Sequence, residues 1–186
     1  MKTFFGLEWS EMKYELIDNF LPLDVFDKLK TFLLPVDVYK NEGQMPWYYI
    51  PAGNVVHQSS FDSTCNWRLF YLSHIVYDHV IESSFYERII SHFWEQLNIK
   101  SLIRIKINMY PNTEKLHEHG MHVDYDYPHK AAILSINTCD GYTKLEDDTK
   151  IDSVENRMLL FDASTPHQST TTSNTTARFN INFNYF

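Results

Sequence analysis

Cysteine is scarce in this chain. Cys65 and Cys139 are the only two, far apart and without metal-ligand spacing. A disulfide framework and a thiolate zinc site are therefore both excluded, and two reduced thiols are expected rather than one bridge. Long apolar runs are missing too, since nothing approaches the roughly 20 residues that cross a bilayer. The opening MKTFFGLEWSEM breaks its short apolar patch at Glu8, too early for an export-signal core, so the expected location is cytoplasmic. Positive charge is in deficit. Sixteen Lys and Arg face 24 Asp and Glu, a net charge of −8, whereas phosphate neutralisation needs the opposite balance; this argues against nucleic acid as a partner. Asn174-Thr175-Thr176 fits a glycosylation acceptor but means little without a secretory route. There is no internal repeat, long linker or low-complexity run.

What is abundant is aromatic. Thirteen Phe, 12 Tyr and 4 Trp in 186 residues exclude a disordered chain. The length suits one domain, 1–186, able to bury a core without staples. Tyr14 to Phe20 reads as a strand turning at Pro22, with Asp24 as N-cap of a helix over 24–34. Residues 40–66 read as irregular, with Trp47 to Tyr49 either a substrate lid or core. His74 and His79 fall on a helical or loop segment, packed or at the surface. A second helix is expected over 84–98, with Phe85, Ile89, Ile90, Phe93, Trp94 and Leu97 on one stripe. From 102 the period changes to two. Ile103, Ile105, Ile107 and Met109 alternate with Arg104, Lys106, Asn108 and Tyr110 up to Pro111. Further strands are expected at 131–137, 142–145 and 157–162. A last one alternates Phe179, Ile181, Phe183 and Tyr185 with Arg178, Asn180, Asn182 and Asn184. The pattern is α+β and mainly β: a mixed support over 1–100 and a sandwich or barrel core over 101–186.

The nine histidines in an acidic chain raise the question of metal. In His122-Val123-Asp124 the outer two side chains leave an extended backbone on the same face, so both can reach one cation. His167, after a buried strand and the turn Ser164-Thr165-Pro166, is a candidate third ligand. Two imidazoles and a carboxylate on one side of a metal leave open positions opposite, which suits non-haem Fe(II). The guanidinium of Arg178 can hold a carboxylate in a bidentate pair. The Asn residues on its strand face are either solvated or turned to a cavity.

At these residues the sequence resembles the 2-oxoglutarate- and Fe(II)-dependent oxygenases, in their prolyl-hydroxylase-like branch of short phage and marine microbial type. The likeness runs through ELIDNFLPLDVFDKL, INMYPN, HGMHVDYDY, ILSIN with DGYTKLED, NRMLLFDASTPHQS and ARFNINFNYF, in that order. It implies a double-stranded β-helix, the cupin-like jelly roll, with N-terminal helices buttressing one sheet. It implies Fe(II) on His122, Asp124 and His167, with 2-oxoglutarate and O2 as co-substrates. Arg178 would pair with the distal carboxylate of 2-oxoglutarate, and Tyr110 would reach the same molecule. The reaction implied is hydroxylation of a peptidyl or protein residue such as proline, with succinate and CO2 released. A free amino acid, another small metabolite or a nucleobase is the alternative substrate, and a non-oxidative cupin-like binding module the alternative function. Ser135 and Asn184 stand where several prolyl hydroxylases carry Tyr and Trp, which leaves the metal residues intact but loosens the link to proline. Asp124 stands where related halogenases carry a small residue, which favours hydroxylation.

Other residues have quieter readings. His117 and His119 lie in a loop entering the strand, with His119 better suited to a place beside the ligands or the substrate than to the metal. His129 reads as solvated and Asp126 as a rim acid. Asp162 either orients His167 or caps a turn. Lys106 and Asn108 share a face with Tyr110 and are candidates to line the cavity.

Overall fold

The computed structural model describes residues 14–34, 45–51 and 69–186. Cys65 and most of the irregular 40–66 stretch lie outside them. The first strand, β1 (Tyr14–Ile17), leads into helix α1 (Leu23–Leu33). Strands β2 (Tyr48–Ile50), β3 (Tyr71–Asp78) and β4 (Val80–Ile81) follow, then a short helix α2 (Tyr86–Ile90). The remainder is β5 (Leu102–Pro111), β6 (Lys130–Ser135), β7 (Tyr142–Leu145), β8 (Lys150–Asp152), β9 (Met158–Asp162), β10 (His167–Ser169) and β11 (Ala177–Tyr185). Every named pairing is antiparallel. A large sheet runs β1-β9-β6-β11-β5-β3-β2, with β4 on β3, and a small one runs β10-β7-β8.

The layers follow from the period-2 patterning. Ile105, Ile107, Ile181 and Phe183 turn to one side of the large sheet, where they pack with Phe26 and Leu29 of α1 and with Ile89, Phe93 and Leu97. Phe93 and Phe183 meet with ring centroids 4.5 Å apart. Ala131, Ile133, Leu159 and Phe161 turn to the other side and meet Leu145 and Ile151 of the small sheet. Burying each large aliphatic or aromatic side chain stabilises by about 1.5–3 kcal/mol. The even positions of β11 also face the small sheet, and they are polar. Arg178, Asn180, Asn182 and Asn184 are nonetheless all buried, because β11 lies between β5 and β6 in the middle of the sheet.

Three local expectations are corrected. The 84–98 helix is regular only over α2. Beyond it, Phe93 N–H donates to the Ile90 carbonyl, Leu97 to Phe93 and Ile99 to Trp94, a mixture of three-, four- and five-residue steps. Phe, Trp and His are middling helix formers, and core contacts hold Phe93 and Leu97 inward without them; Trp94 is left exposed. The segment holding His74 is a strand, β3, whose register shifts between Ile75 and Tyr77 where it pairs with β5. That irregularity interrupts the period and hides the strand. At α1 the N-cap position is Pro22, with no side-chain cap; Asp24 sits in the first turn, where its charge suits the helix dipole.

The start of α1 is instead held from a distance. Asn156, at φ 58°, accepts from Leu21 N–H at 3.0 Å and donates to the Leu21 carbonyl at 2.9 Å, while its own carbonyl accepts from Phe20 N–H. Asn tolerates that left-handed backbone better than most residues. Asn156→Ala should therefore cost about 3 kcal/mol, from two lost hydrogen bonds to buried backbone plus strain. Urea denaturation measures this; an unchanged midpoint would refute the anchoring role.

Candidate metal centre and anion pocket

The centre of the site is made by backbone. His122 N–H donates to the His167 carbonyl at 2.9 Å, and His167 N–H donates back at 2.8 Å. In such a hydrogen-bonded antiparallel pair the side chains stand opposite each other on one face. The two imidazoles accordingly lie with centroids 4.7 Å apart. Each ring is then oriented by a carbonyl two residues earlier: Nδ1 of His122 lies 3.1 Å from Gly120 O, and Nδ1 of His167 lies 3.0 Å from Thr165 O. A carbonyl can only accept, so both Nδ1 atoms carry hydrogen and both Nε2 lone pairs are free. Burial, with the neighbouring His167 charge second, pushes the His122 pKa down to about 4, which keeps the ring neutral.

Asp124 completes the group. One donor atom from each of His122, Asp124 and His167 lies within 4.8 Å of the others, and no other group of three such side chains does so among the described residues. His117 and His119 stay out of it. The donor set has the chemistry of a facial two-His, one-carboxylate metal site, and it fits a divalent ion.

Asp124 has partners that the sequence reading missed. Arg104 Nη2 donates to Oδ1 at 2.8 Å, Asn184 Nδ2 to Oδ2 at 2.8 Å, and Asn182 Nδ2 to Oδ2 at 3.3 Å. Burial pushes the carboxyl up, but Arg104, then His167, Lys106 and Asn184, outweigh it and hold Asp124 far below the usual carboxylate range. The Arg104 guanidinium also sits 5.1 Å over the Tyr125 ring. The available signal was parity: Arg104 shares its face of β5 with Tyr110. His129, expected in solvent, is buried; its Nε2 lies 3.2 Å from Asn184 Nδ2, and its Nδ1 lies 2.8 Å from Tyr127 O. Asp162 caps a turn, accepting from the Ser164 N–H and hydroxyl. Asp126 is exposed. His74 is a packed residue, with Nδ1 on the Pro46 carbonyl and Nε2 on the Ser83 hydroxyl.

Further along β11, Arg178 is 1% exposed and heads the largest fully buried side chains. Its Nη2 donates to Thr143 Oγ1 at 3.0 Å and its Nη1 to the Thr170 carbonyl at 3.4 Å, while Nε has no partner. The guanidinium lies 5.3 Å over the Tyr110 ring, and no carboxylate among the described residues pairs with it. A buried charge left that way is costly. Gly141 makes the arrangement fit: a Cβ there would come within 2.7 Å of Arg178 Cδ and 2.8 Å of the Thr171 carbonyl. Tyr110 is buried and stacks on Tyr71 at 5.3 Å. Behind them His119 packs its ring against Tyr110, with Nε2 unpartnered. A cavity runs from the donor triad to Tyr110 and Thr143, the two side chains against which Arg178 lies. Lys106, Asn108 and Tyr110 line it beside the His and Asp side chains, and Ile133 is the only aliphatic side chain among its described lining residues. Trp47 packs on Phe179 and the helical side of the sheet, whereas Tyr48 and Tyr49 are exposed.

No family model matches the sequence, and no curated protein does either. Solved structures do match. A prolyl-4-hydroxylase from Pseudomonas putida gives a TM-score of 0.60 over 95% of this chain and 94% of its own, at 14% identity. A 2OG-Fe(II) oxygenase family oxidoreductase from Burkholderia pseudomallei gives 0.63 over 95% and 86%, at 9% identity. A prolyl hydroxylase from Trichoplax adhaerens, solved with a hypoxia inducible factor peptide fragment, gives 0.62 over 95% and 84%, at 16% identity. The likeness is one of fold. The chain has the double-stranded β-helix of the 2-oxoglutarate/Fe(II) oxygenases, several prolyl hydroxylases among them, as expected from the sequence motifs.

The buried imidazoles have a consequence for stability. Burial lowers the pKa of His119, as of His122, to about 4, against 6.5 for a free ring. The unfolded chain takes up these protons first, so this part of the stability is whole above about pH 6.5 and drains as the pH falls toward 4. Urea midpoints of the metal-free protein should fall across that window, and His119→Asn should flatten the fall. Midpoints independent of pH there would contradict the assignment.

Proposed function

We propose that this protein is an Fe(II)- and 2-oxoglutarate-dependent dioxygenase that hydroxylates a C–H bond. The observation that carries the reading is Arg178: a buried guanidinium with no acid partner among the described residues, set against Tyr110 and Thr143 in the wall of the cavity that the two-His, one-carboxylate donor set also lines. A dicarboxylic acid whose one end reaches the metal and whose other end reaches Arg178 resolves both features. A cupin-like module that only binds metal has no use for that arginine.

On this reading His122, Asp124 and His167 hold the ion. A ferrous ion there supplies the redox chemistry by which R–H, 2-oxoglutarate and O2 become R–OH, succinate and CO2. The chain's own residues do the placing. Arg178 takes the distal carboxylate, with Thr143 holding the guanidinium flat. Tyr110, stacked between Arg178 and Tyr71, walls the co-substrate on one side. Asn108 donates to Asn180 Oδ1 at 2.9 Å across the β5–β11 pair, which fixes the floor of the cavity. Tyr110, Asn108, Asn180 and Arg178 are all buried, and exclusion of bulk water strengthens each of these contacts. The whole of 1–186 works as one unit in this proposal. The 101–186 half carries the metal and anion residues, and β3 adds Tyr71. A peptidyl residue such as proline is the substrate implied by the likeness to prolyl hydroxylases. The net charge of −8 speaks against nucleic acid.

Anaerobic addition of Fe(II) and 2-oxoglutarate should give a weak visible charge-transfer band. Arg178→Ala should weaken 2-oxoglutarate binding about 100-fold, the scale of losing charge-assisted hydrogen bonds, while metal binding followed with Co(II) is retained. Absence of the band in the unaltered protein, or full 2-oxoglutarate affinity in Arg178→Ala, would reject the reading.

A further inference from the structure

Lys106 is left over from that account. Its side chain lines the cavity beside His122 and Asp124. Its recorded contacts there are to Tyr71: a hydrogen bond to the hydroxyl at 3.4 Å and a position 5.5 Å over the ring. No carboxylate among the described residues forms an ion pair with it. Asp124 is already engaged, with Arg104 on Oδ1 and two amides on Oδ2, and its remaining acceptor capacity faces the two imidazoles. On β5, Lys106 stands opposite Asn182, the residue that donates to Asp124, whereas Tyr110 stands opposite Arg178. The amine is thus level with the donor triad, at the end of the cavity away from the co-substrate's distal carboxylate.

Two asparagines in the same cavity wall, Asn182 and Asn108, carry unpartnered amide oxygens. Asn182 spends its Nδ2 on the Asp124 carboxylate, and a carboxylate can only accept, so the orientation of that amide is settled. Its Oδ1 is buried without a partner, and so is Oδ1 of Asn108, the neighbouring position on β5. Unpaired buried acceptors of this kind are rare in native proteins and usually await a ligand or water.

Charge counting agrees. Lys106 and one acid, Asp124, line the cavity itself, and two further cations stand directly behind its wall, Arg104 on Asp124 and Arg178 on Thr143. A divalent ion adds two positive charges, and dianionic 2-oxoglutarate removes two. The loaded site therefore keeps a positive surplus, inside a chain whose overall charge is negative. Such a site attracts an anionic group.

We infer that the oxidised substrate is a free α-amino acid, its carboxylate held by Lys106 and Tyr71 and its ammonium group by Oδ1 of Asn182 and Asn108. This rests on the dioxygenase reading and replaces the peptidyl substrate with a zwitterion. A residue inside a peptide has neither charge to offer.

The test compares the free L-amino acids one by one with the same residues as N-acetyl amides, using the Fe(II)-loaded full chain with 2-oxoglutarate and O2. At least one free amino acid should raise succinate release ten-fold or more over its capped form. The same amino acid should bind in calorimetric titrations of the Mn(II)- and 2-oxoglutarate-loaded protein without O2, with its capped form at least ten-fold weaker. Lys106→Met should bring the free-to-capped ratio to about one, and Lys106→Arg should restore much of it. A capped residue matching or beating its free form throughout, or no response to any free amino acid, overturns the inference. So does a ten-fold weaker 2-oxoglutarate Kd in Lys106→Met with the free-to-capped ratio unchanged, since the lysine would then serve the co-substrate. Failure of the dioxygenase reading looks different: the Fe(II)–2-oxoglutarate band never forms.

Discussion

Everything in the site depends on two backbone hydrogen bonds. By exchanging N–H and carbonyl, His122 and His167 stitch the loop after β5 to the start of β10 and bring two imidazoles onto one face. Side chains alone would not do this cheaply, because a loop from one part of the chain and a strand from another must be closed against their conformational entropy. The bridge does it with peptide groups that need partners in any case. The carbonyls of Gly120 and Thr165 then turn both rings the same way. The geometry of the centre is therefore a property of the β framework.

The second constraint is the treatment of charge. The interior between the sheets holds several charged side chains, and each is handled differently. Asp124 is neutralised locally by Arg104 and wrapped by amides. Arg178 is half satisfied by Thr143 and the Thr170 carbonyl and stacked on Tyr110. Lys106 has only a phenol. Along the shared face of β5 and β11 the completed ion pair of Arg104 stands next to the open Lys106, with the half-satisfied Arg178 at the far end. An antiparallel pair with a polar inner face makes such a row simple to build, since successive alternate residues step along the cavity.

The fold and the triad were legible in the sequence because both depend on local pattern. His-x-Asp needs only an extended backbone, and the alternation of β5 and β11 is written in consecutive residues. What was not legible depends on distant pairing. Arg104 stood in the sequence only as one alternating position of a strand, and nothing there pointed to Asp124 as its partner. The asparagines of β11 were open to a solvated reading, which the central place of the strand overrules. His129 follows a proline in a turn and gave no hint of the Asn184 amide that covers it. β3 was lost to its register shift, and with it the origin of Tyr71. The expected 84–98 helix failed in the other direction: a real apolar stripe was met by an irregular backbone, since core packing needs only that Phe93 and Leu97 point inward.

The grip of Arg104 on Asp124 reaches beyond the centre itself. A carboxylate already charge-matched and hydrogen-bonded has no need of a cation to stay in place. On the proposed function, folding and metal uptake would therefore be separable, and the polypeptide could mature empty and be loaded afterwards. Such a vessel does not choose its ion by collapsing around the correct one. Nickel, copper and zinc all outrank ferrous iron for nitrogen and oxygen donors, so the identity of the occupant passes from the protein to the metal supply of its surroundings.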